Sequence, residues 1–129
     1  MKLIIAGGRD LDIGYHGIAG AITLHKLTRV STIISGGAKG VDSSARLFAQ
    51  GDEWENYPVS LCEKYKEFPA DWGKHGRAAG PIRNKQMADY ADALLLIWDG
   101  KSKGSSNMKE TMLKQNKPVY EVILRKSNG

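Results

Sequence analysis

One cysteine, Cys62, among 129 residues excludes an intrachain disulfide and suits a reducing cytoplasm. No apolar run approaches the ~20 residues a bilayer span needs, and Met1-Lys2 runs straight into a strand-like segment, so neither a membrane helix nor a targeting peptide is expected. The three histidines, His16, His25 and His75, stand at no metal-ligand spacing, and with a single cysteine no zinc site is expected. A Gly-x-Ser-x-Gly elbow is missing, which removes the commonest serine-hydrolase signature. There is no internal repeat and no low-complexity stretch, and no cofactor is implied. Acidic residues are fewer than basic ones, 14 against 19, a net charge of +5 that suits a polyanion or a phosphorylated small molecule. The lysines are scattered, however, and four basic residues (Lys114, Lys117, Arg125, Lys126) fall in the C-terminal stretch, the pattern of a solvated basic surface.

What the chain does have is glycine in telling places. Val30-Ser31-Thr32-Ile33-Ile34 empties into Ser35-Gly36-Gly37-Ala38-Lys39-Gly40-Val41-Asp42, a β-branched strand followed by a glycine-rich elbow and a helix start. Ile4-Ile5-Ala6-Gly7-Gly8-Arg9-Asp10 repeats the device, and a third turn leads from Asp99-Gly100 to Gly104-Ser105-Ser106-Asn107. A helix start without bulky side chains offers unpaired backbone N–H groups to an anion. None of the turns has the Lys-Ser/Thr ending of a Walker loop or the full G-x-G-x-x-G spacing. Each is also explained by a tight turn that needs positive φ and binds nothing.

Apolar patterning predicts strands over 2–6, 30–35, 93–98 and 118–124, with a weaker one near 58–62. Several are near-continuous apolar runs, as in a parallel sheet covered on both faces. Between them Ile18, Ala21, Ile22 and His25 share a helical face, as do Val41, Ala45, Phe48 and Ala49, then Arg83, Met87 and Tyr90, then Met108 and Met112. This alternation predicts one domain over 1–129 of α/β class: a Rossmann-like, doubly wound, mainly parallel sheet of about five strands with helices on both faces. A 3-2-1-4-5 strand order would open a crevice between the turn at 7–10 and the turn at 99–106. Residues 64–80 show no period, and their Trp, Phe and Pro argue for a folded flap over that crevice. The tail, 125–129, is expected to be loose.

The candidate ligand residues follow from this placement. Arg9 has the chemistry to clamp a phosphate and Asp10 to accept from a ribose hydroxyl; the alternative is a capping aspartate beside a surface arginine. Lys39 and Asp42 carry the same two readings. Pro81 sits early in a helix, as helix starts prefer, which sets Arg83 and Asn84 near its N-terminus; Arg83 would touch a ligand or brace the flap through Asp71. Ser105, Ser106 and Asn107 are placed to bind phosphate, to cap a helix, or both. Trp98 reads as core; Trp72 has the better claim to stack on a base or cover the ligand, and Trp72 and Tyr65 are the aromatic residues placed for stacking single-stranded DNA.

In order along the chain, Gly7-Gly8-Arg9-Asp10, the Ser35–Asp42 elbow, Ala70-Asp71-Trp72, Ala79-Gly80-Pro81-Ile82-Arg83-Asn84-Lys85-Gln86-Met87 and Gly104-Ser105-Ser106-Asn107 resemble the small YspA-type branch of the SLOG superfamily. The resemblance covers residues 1–122. It implies a Rossmann-like fold and kinship with the LOG phosphoribohydrolases and the DprA single-strand-binding proteins. It also implies binding of nucleotides or nucleotide-derived ligands such as ADP-ribose-like signals, and small stand-alone members are common in bacteria and their phages; the sensor or sequestering role is expected from three anion-friendly turns without an obvious catalytic carboxylate. Relatives pair through helices, so a homodimer or larger assembly is implied, with Met108 and Met112 as a possible contact face. One departure concerns catalysis. LOG-type hydrolases carry Pro-Gly-Gly-x-Gly-Thr-x-x-Glu, and Met108 stands where the glutamate would fall. Cleaving a base–ribose bond needs a carboxylate, by analogy with glycoside hydrolysis; Asp10, Asp42, Asp99 or Glu110 would have to replace it. Three expectations therefore remain: binding of a nucleotide-derived ligand, N-glycosidase (phosphoribohydrolase) activity, and binding of single-stranded DNA.

Overall fold

The computed structural model describes residues 1–8, 11, 13–27, 30–37, 41–42, 45 and 64–124. Apolar runs become the inner strands of a parallel sheet, β1 (Lys2–Gly7), β2 (Thr32–Ser35) and β4 (Ala93–Trp98), flanked by β3 (Lys64–Glu67) and β5 (Val119–Ile123) at the edges. The order is β3-β2-β1-β4-β5 with every pairing parallel, the doubly wound arrangement expected from the sequence. Ile4 is paired with Ile34 on one side and Leu94 on the other, so the centre of the sheet is a row of aliphatic side chains.

Because a strand alternates its side chains, each apolar run feeds two cores. Leu3, Ile5, Ile33, Leu95 and Ile97 pack with Ile18, Ala21 and Ile22 of α1 (Gly14–Leu24), and with Val41 and Ala45, which are helical. Ile4, Ile34, Leu94, Leu96 and Trp98 pack on the opposite face. There they meet Met87 and Ala88 of α3 (Ala79–Tyr90) and Met108 and Met112 of α4 (Lys103–Lys114). Met108 and Met112 are 1% and 0% exposed, so these methionines are core side chains and do not form the contact face expected of them. Trp98 is likewise core, its indole N–H donating to Glu121 Oε2 at 3.2 Å.

The region expected to be a folded flap contains regular elements that its lack of a period did not announce. It opens with β3, whose Lys64 lies opposite Thr32 and Glu67 opposite Ser35, and continues through a four-residue helix, α2 (Trp72–His75), and a 3₁₀ turn (Gly76–Ala78) into α3. The weaker strand expected near 58–62 lies outside the described residues. Asp71 caps α2, accepting from the Lys74 backbone N–H at 3.0 Å, and does not meet Arg83 as expected. Part of the basic C-terminal stretch is built in: Lys114 closes α4, and Lys117 Nζ donates to the Ala88 carbonyl at 2.6 Å. That bond meets an end carbonyl of α3, where a cation is favoured by the helix dipole.

Candidate functional site

The winding of the sheet reverses between β1 and β4, and a crevice of about 1390 Å³ opens at their carboxyl ends. Parallel α/β sheets bind ligands at this place because the flanking helices depart to opposite faces there. Ala6, Met87 and Met108 make an apolar floor. Gly7 and Gly8 end β1 along one wall; the loop from Asp99 to Ser102, which leads into α4, makes the other.

That loop is folded by Asp99, whose Oδ1 accepts from the backbone N–H groups of Lys101 (2.8 Å) and Ser102 (3.0 Å). These bonds, the Lys101 N–H foremost, hold its carboxyl below the ordinary carboxylate range. The result is a helix start whose cap residue, Ser102, makes no side-chain capping bond. The first intrahelical bond of α4 runs from the Ser106 N–H to the Ser102 carbonyl at 3.0 Å, so the N–H groups of Lys103, Gly104 and Ser105 have no partner within the helix. A Cβ on Gly104 would meet nothing within 4 Å; this glycine faces open space on the crevice wall. Lys101 and Lys103 line the same wall, which gives it positive charge beside the positive end of the helix dipole.

The opposite wall is the start of α3. Asn84, 5% exposed, donates through Nδ2 to the Gly104 carbonyl (3.3 Å) and to Asn107 Oδ1 (3.0 Å), strapping the beginnings of α3 and α4 together. Its Oδ1 accepts from Arg83 Nε at 3.1 Å. Arg83 Nη1 reaches the carbonyls of Gly36 (2.9 Å) and Phe68 (3.4 Å). Arg83 therefore joins the ends of β2 and β3 to α3, bracing the flap as one reading expected but through main-chain carbonyls. At the lip stands Trp72, half exposed, its ring 3.4 Å from where a Cβ on Gly80 would lie.

Of the expected ligand residues, the fold brings Gly7, Gly8, Asp42, Trp72, Arg83, Asn84, Gly104, Ser105 and Asn107 to this one crevice. Ser35, Gly36, Gly37 and Ser106 are not among its lining, and neither is the exposed Glu110. Arg9, Asp10, Lys39 and Gly40 lie outside the described residues. The elbow after β2 has packing reasons for its glycines. Any Cβ on Gly36 would fall 1.9 Å from Arg83 Nη1, and Gly37 combines φ +73° with Glu67 2.5 Å from the position of a Cβ. Ser35, fully buried, donates to the Asp42 carbonyl at 3.3 Å and accepts from the Gly37 N–H at 3.1 Å, closing the turn on itself. Gly7 is equally constrained, because a Cβ there would sit 1.8 Å from the Ile97 carbonyl oxygen across the β1–β4 pair. Arg77, Lys101, Lys103 and Ile123 line the crevice without any motif to announce them; the basic residues after Asp99-Gly100 were the available signal.

No family model matches the chain. It is 33% identical over 97 residues to the Gene 61 protein of Mycobacterium phage D29, the match spanning 74% of each protein. Among solved structures it is similar to DNA processing protein A from Helicobacter pylori, a protein described for its single-stranded DNA binding mode. That likeness has a TM-score of 0.64 at 22% identity and covers 97% of this chain and 66% of the other. At this identity it is a likeness of fold: both share the Rossmann-like α/β sheet.

Proposed function

Since the chain belongs to the family of the Gene 61 protein of Mycobacterium phage D29, we propose that it is a small nucleotide-binding protein of the SLOG type whose β1–β4 crevice holds a nucleotide or nucleotide-derived ligand, as sensor or sequestering protein. The observation that carries this is the wall at the start of α4: main-chain N–H groups without helical acceptors, a glycine facing open space, and Lys101 and Lys103 beside them. A phosphate has the charge and the acceptor oxygens for that wall. A base has the planar face for Trp72, and the apolar floor of Ala6, Met87 and Met108 suits a sugar or ring edge better than bulk water.

Hydrolysis of the base–ribose bond has weaker support. Met108, standing where the LOG glutamate would fall, is in the core. Glu110 is off the crevice, and the Asp99 carboxylate is committed to two backbone N–H groups. Among the described residues Asp42, buried at the crevice wall, is the carboxylate on which that activity would rest; Asp10, the other candidate, lies outside them. Single-stranded DNA binding is the reading favoured by the fold likeness to the Helicobacter protein and by an exposed tryptophan beside basic residues. The same proposal makes the protein a cytoplasmic homo-oligomer; among the described residues no helix is long and apolar enough to cross a membrane.

The test has two arms. Small molecules released from the purified protein are weighed by mass spectrometry, and nucleotides and oligodeoxynucleotides are titrated while Trp fluorescence and heat are recorded. Binding of a nucleotide that weakens at least about tenfold in Lys103→Glu is expected. A steep loss of oligonucleotide affinity with salt, without any mononucleotide binding, would instead favour the DNA reading. Released free base on incubation with nucleoside monophosphates, lost in Asp42→Asn, would establish the hydrolase.

A further inference from the structure

Resting on the nucleotide-binding reading above, we infer that the crevice is built for two nucleotide units joined through phosphate, and that Ile123 on the edge strand is the seat of the second unit. The crevice, at about 1390 Å³, exceeds the roughly 300–1,000 Å³ of pockets that engulf one drug-sized molecule. Its reach explains the excess. From the end of β1 it crosses β4 to the edge strand β5, two strand spacings or about 10 Å, and it also takes in Trp72, which lies against Gly80 at the start of α3.

The two extremities share a character that the middle lacks. Trp72 is 50% exposed and Ile123 is 54% exposed, and both line the crevice; they are among the few large apolar side chains left to solvent in the described residues. Lys101 and Lys103, in the loop after β4, line the same crevice. The nearest lining acid, Asp99, is hydrogen-bonded to the backbone of its own loop. Gly100, at φ +85°, brings that loop against Ile123, whose Cγ2 lies 4.0 Å from the position of a Cβ. The basic loop and the apolar seat are therefore one continuous surface. Apolar, cationic, apolar is the complement of ring, phosphodiester, ring. A single nucleotide would cover one end and leave the other in water; two linked units cover both, the Trp72 end by stacking and the Ile123 end by burying apolar surface.

The experiment measures, by calorimetry at fixed salt, the affinities of 5′-phosphorylated adenylates of one, two and four units for the native protein, Trp72→Ala and Ile123→Ser. Both altered side chains are largely exposed, so the fold is retained, which circular dichroism checks. Native protein is expected to bind the two-unit ligand at least about tenfold more tightly than the one-unit ligand, with less than about threefold further gain at four units. Ile123→Ser is expected to erase the gain from the second unit, read as equal affinities for one and two units, and Trp72→Ala to weaken both. Equal affinity for one and two units overturns the inference and leaves nucleotide binding standing. Affinity that keeps climbing from two to four units also overturns it, since that is a strand track. Failure of all three lengths to bind defeats the nucleotide reading itself.

Discussion

Replacing Asn84 with alanine should separate the two walls of the crevice, and the cost follows from its hydrogen bonds. Asn84 donates to the Gly104 carbonyl at 3.3 Å and to Asn107 Oδ1 at 3.0 Å, and accepts from Arg83 Nε at 3.1 Å, all from a side chain that is 5% exposed. A typical bond of this kind contributes about 0.5–1.5 kcal/mol net, and stranding a buried partner costs about 1–3 kcal/mol. The Gly104 carbonyl and Asn107 lie at the crevice and regain water; Arg83 keeps its bonds to Gly36 and Phe68. The expected loss is therefore about 2–3 kcal/mol, near the lower end of what three severed bonds would cost. For a domain of this size that lowers Tm by roughly 10 °C. Urea unfolding followed by both far-ultraviolet circular dichroism and Trp fluorescence measures it. The urea dependence of ΔG should be unchanged, because the surface exposed on unfolding is the same. A loss below about 0.5 kcal/mol would refute the strap and with it the account of how α3 and α4 are held at the crevice.

Other substitutions probe separate links. Gly7→Ala drives a methyl into the Ile97 carbonyl oxygen, 1.8 Å away, and should cost more than about 3 kcal/mol, seen as loss of soluble folded protein; a stable, soluble variant would contradict the β1–β4 register. Gly104→Ala meets only open space near the start of α4 and should raise stability by up to about 1 kcal/mol in thermal unfolding, with ligand affinity as the separate readout. Glu121 is held below the ordinary carboxylate range by its ion pair with Lys109 and by the Trp98 indole N–H, against the opposing effect of burial. A carboxylate whose folded pKa is depressed stabilises fully above its unfolded value, about 4.3, and the contribution fades as pH falls through the lower folded value. Stability measured from pH 6 down to 3 should therefore fall less steeply in Glu121→Gln than in the native protein; parallel curves would contradict the pairing.

Much of this architecture is readable from the chain because its signals are local. β4 is six consecutive buried residues, Ala93 to Trp98, and its apolar run marks it without help from any partner. The alternation of such runs with helical periods leads to a parallel doubly wound sheet, and its strand order puts the crevice between β1 and β4. β3 gives no such signal. Its Lys-Tyr-Lys-Glu is a polar edge strand with Lys66 and Glu67 exposed, and it is a strand because its backbone pairs with β2.

The candidate site divides in the same way. Glycines at strand ends announce that turns occur there, yet nothing local tells a glycine that spares a carbonyl, as Gly7 does, from one that faces open space, as Gly104 does. Arg83 reads as a ligand contact or as a brace through Asp71; only folding brings Gly36, 47 residues away, to accept from it. Met108 and Met112 read as a helix stripe, and what covers a stripe is decided by the sheet it lands on. By itself, then, the sequence determined the inner strands, the long helices and the edge of the sheet at which the glycine turns gather, since those depend on backbone preference and on the period of apolar residues. Tertiary structure decided which turns are filled and which are open, because that depends on atoms distant in the chain competing for the same few ångströms.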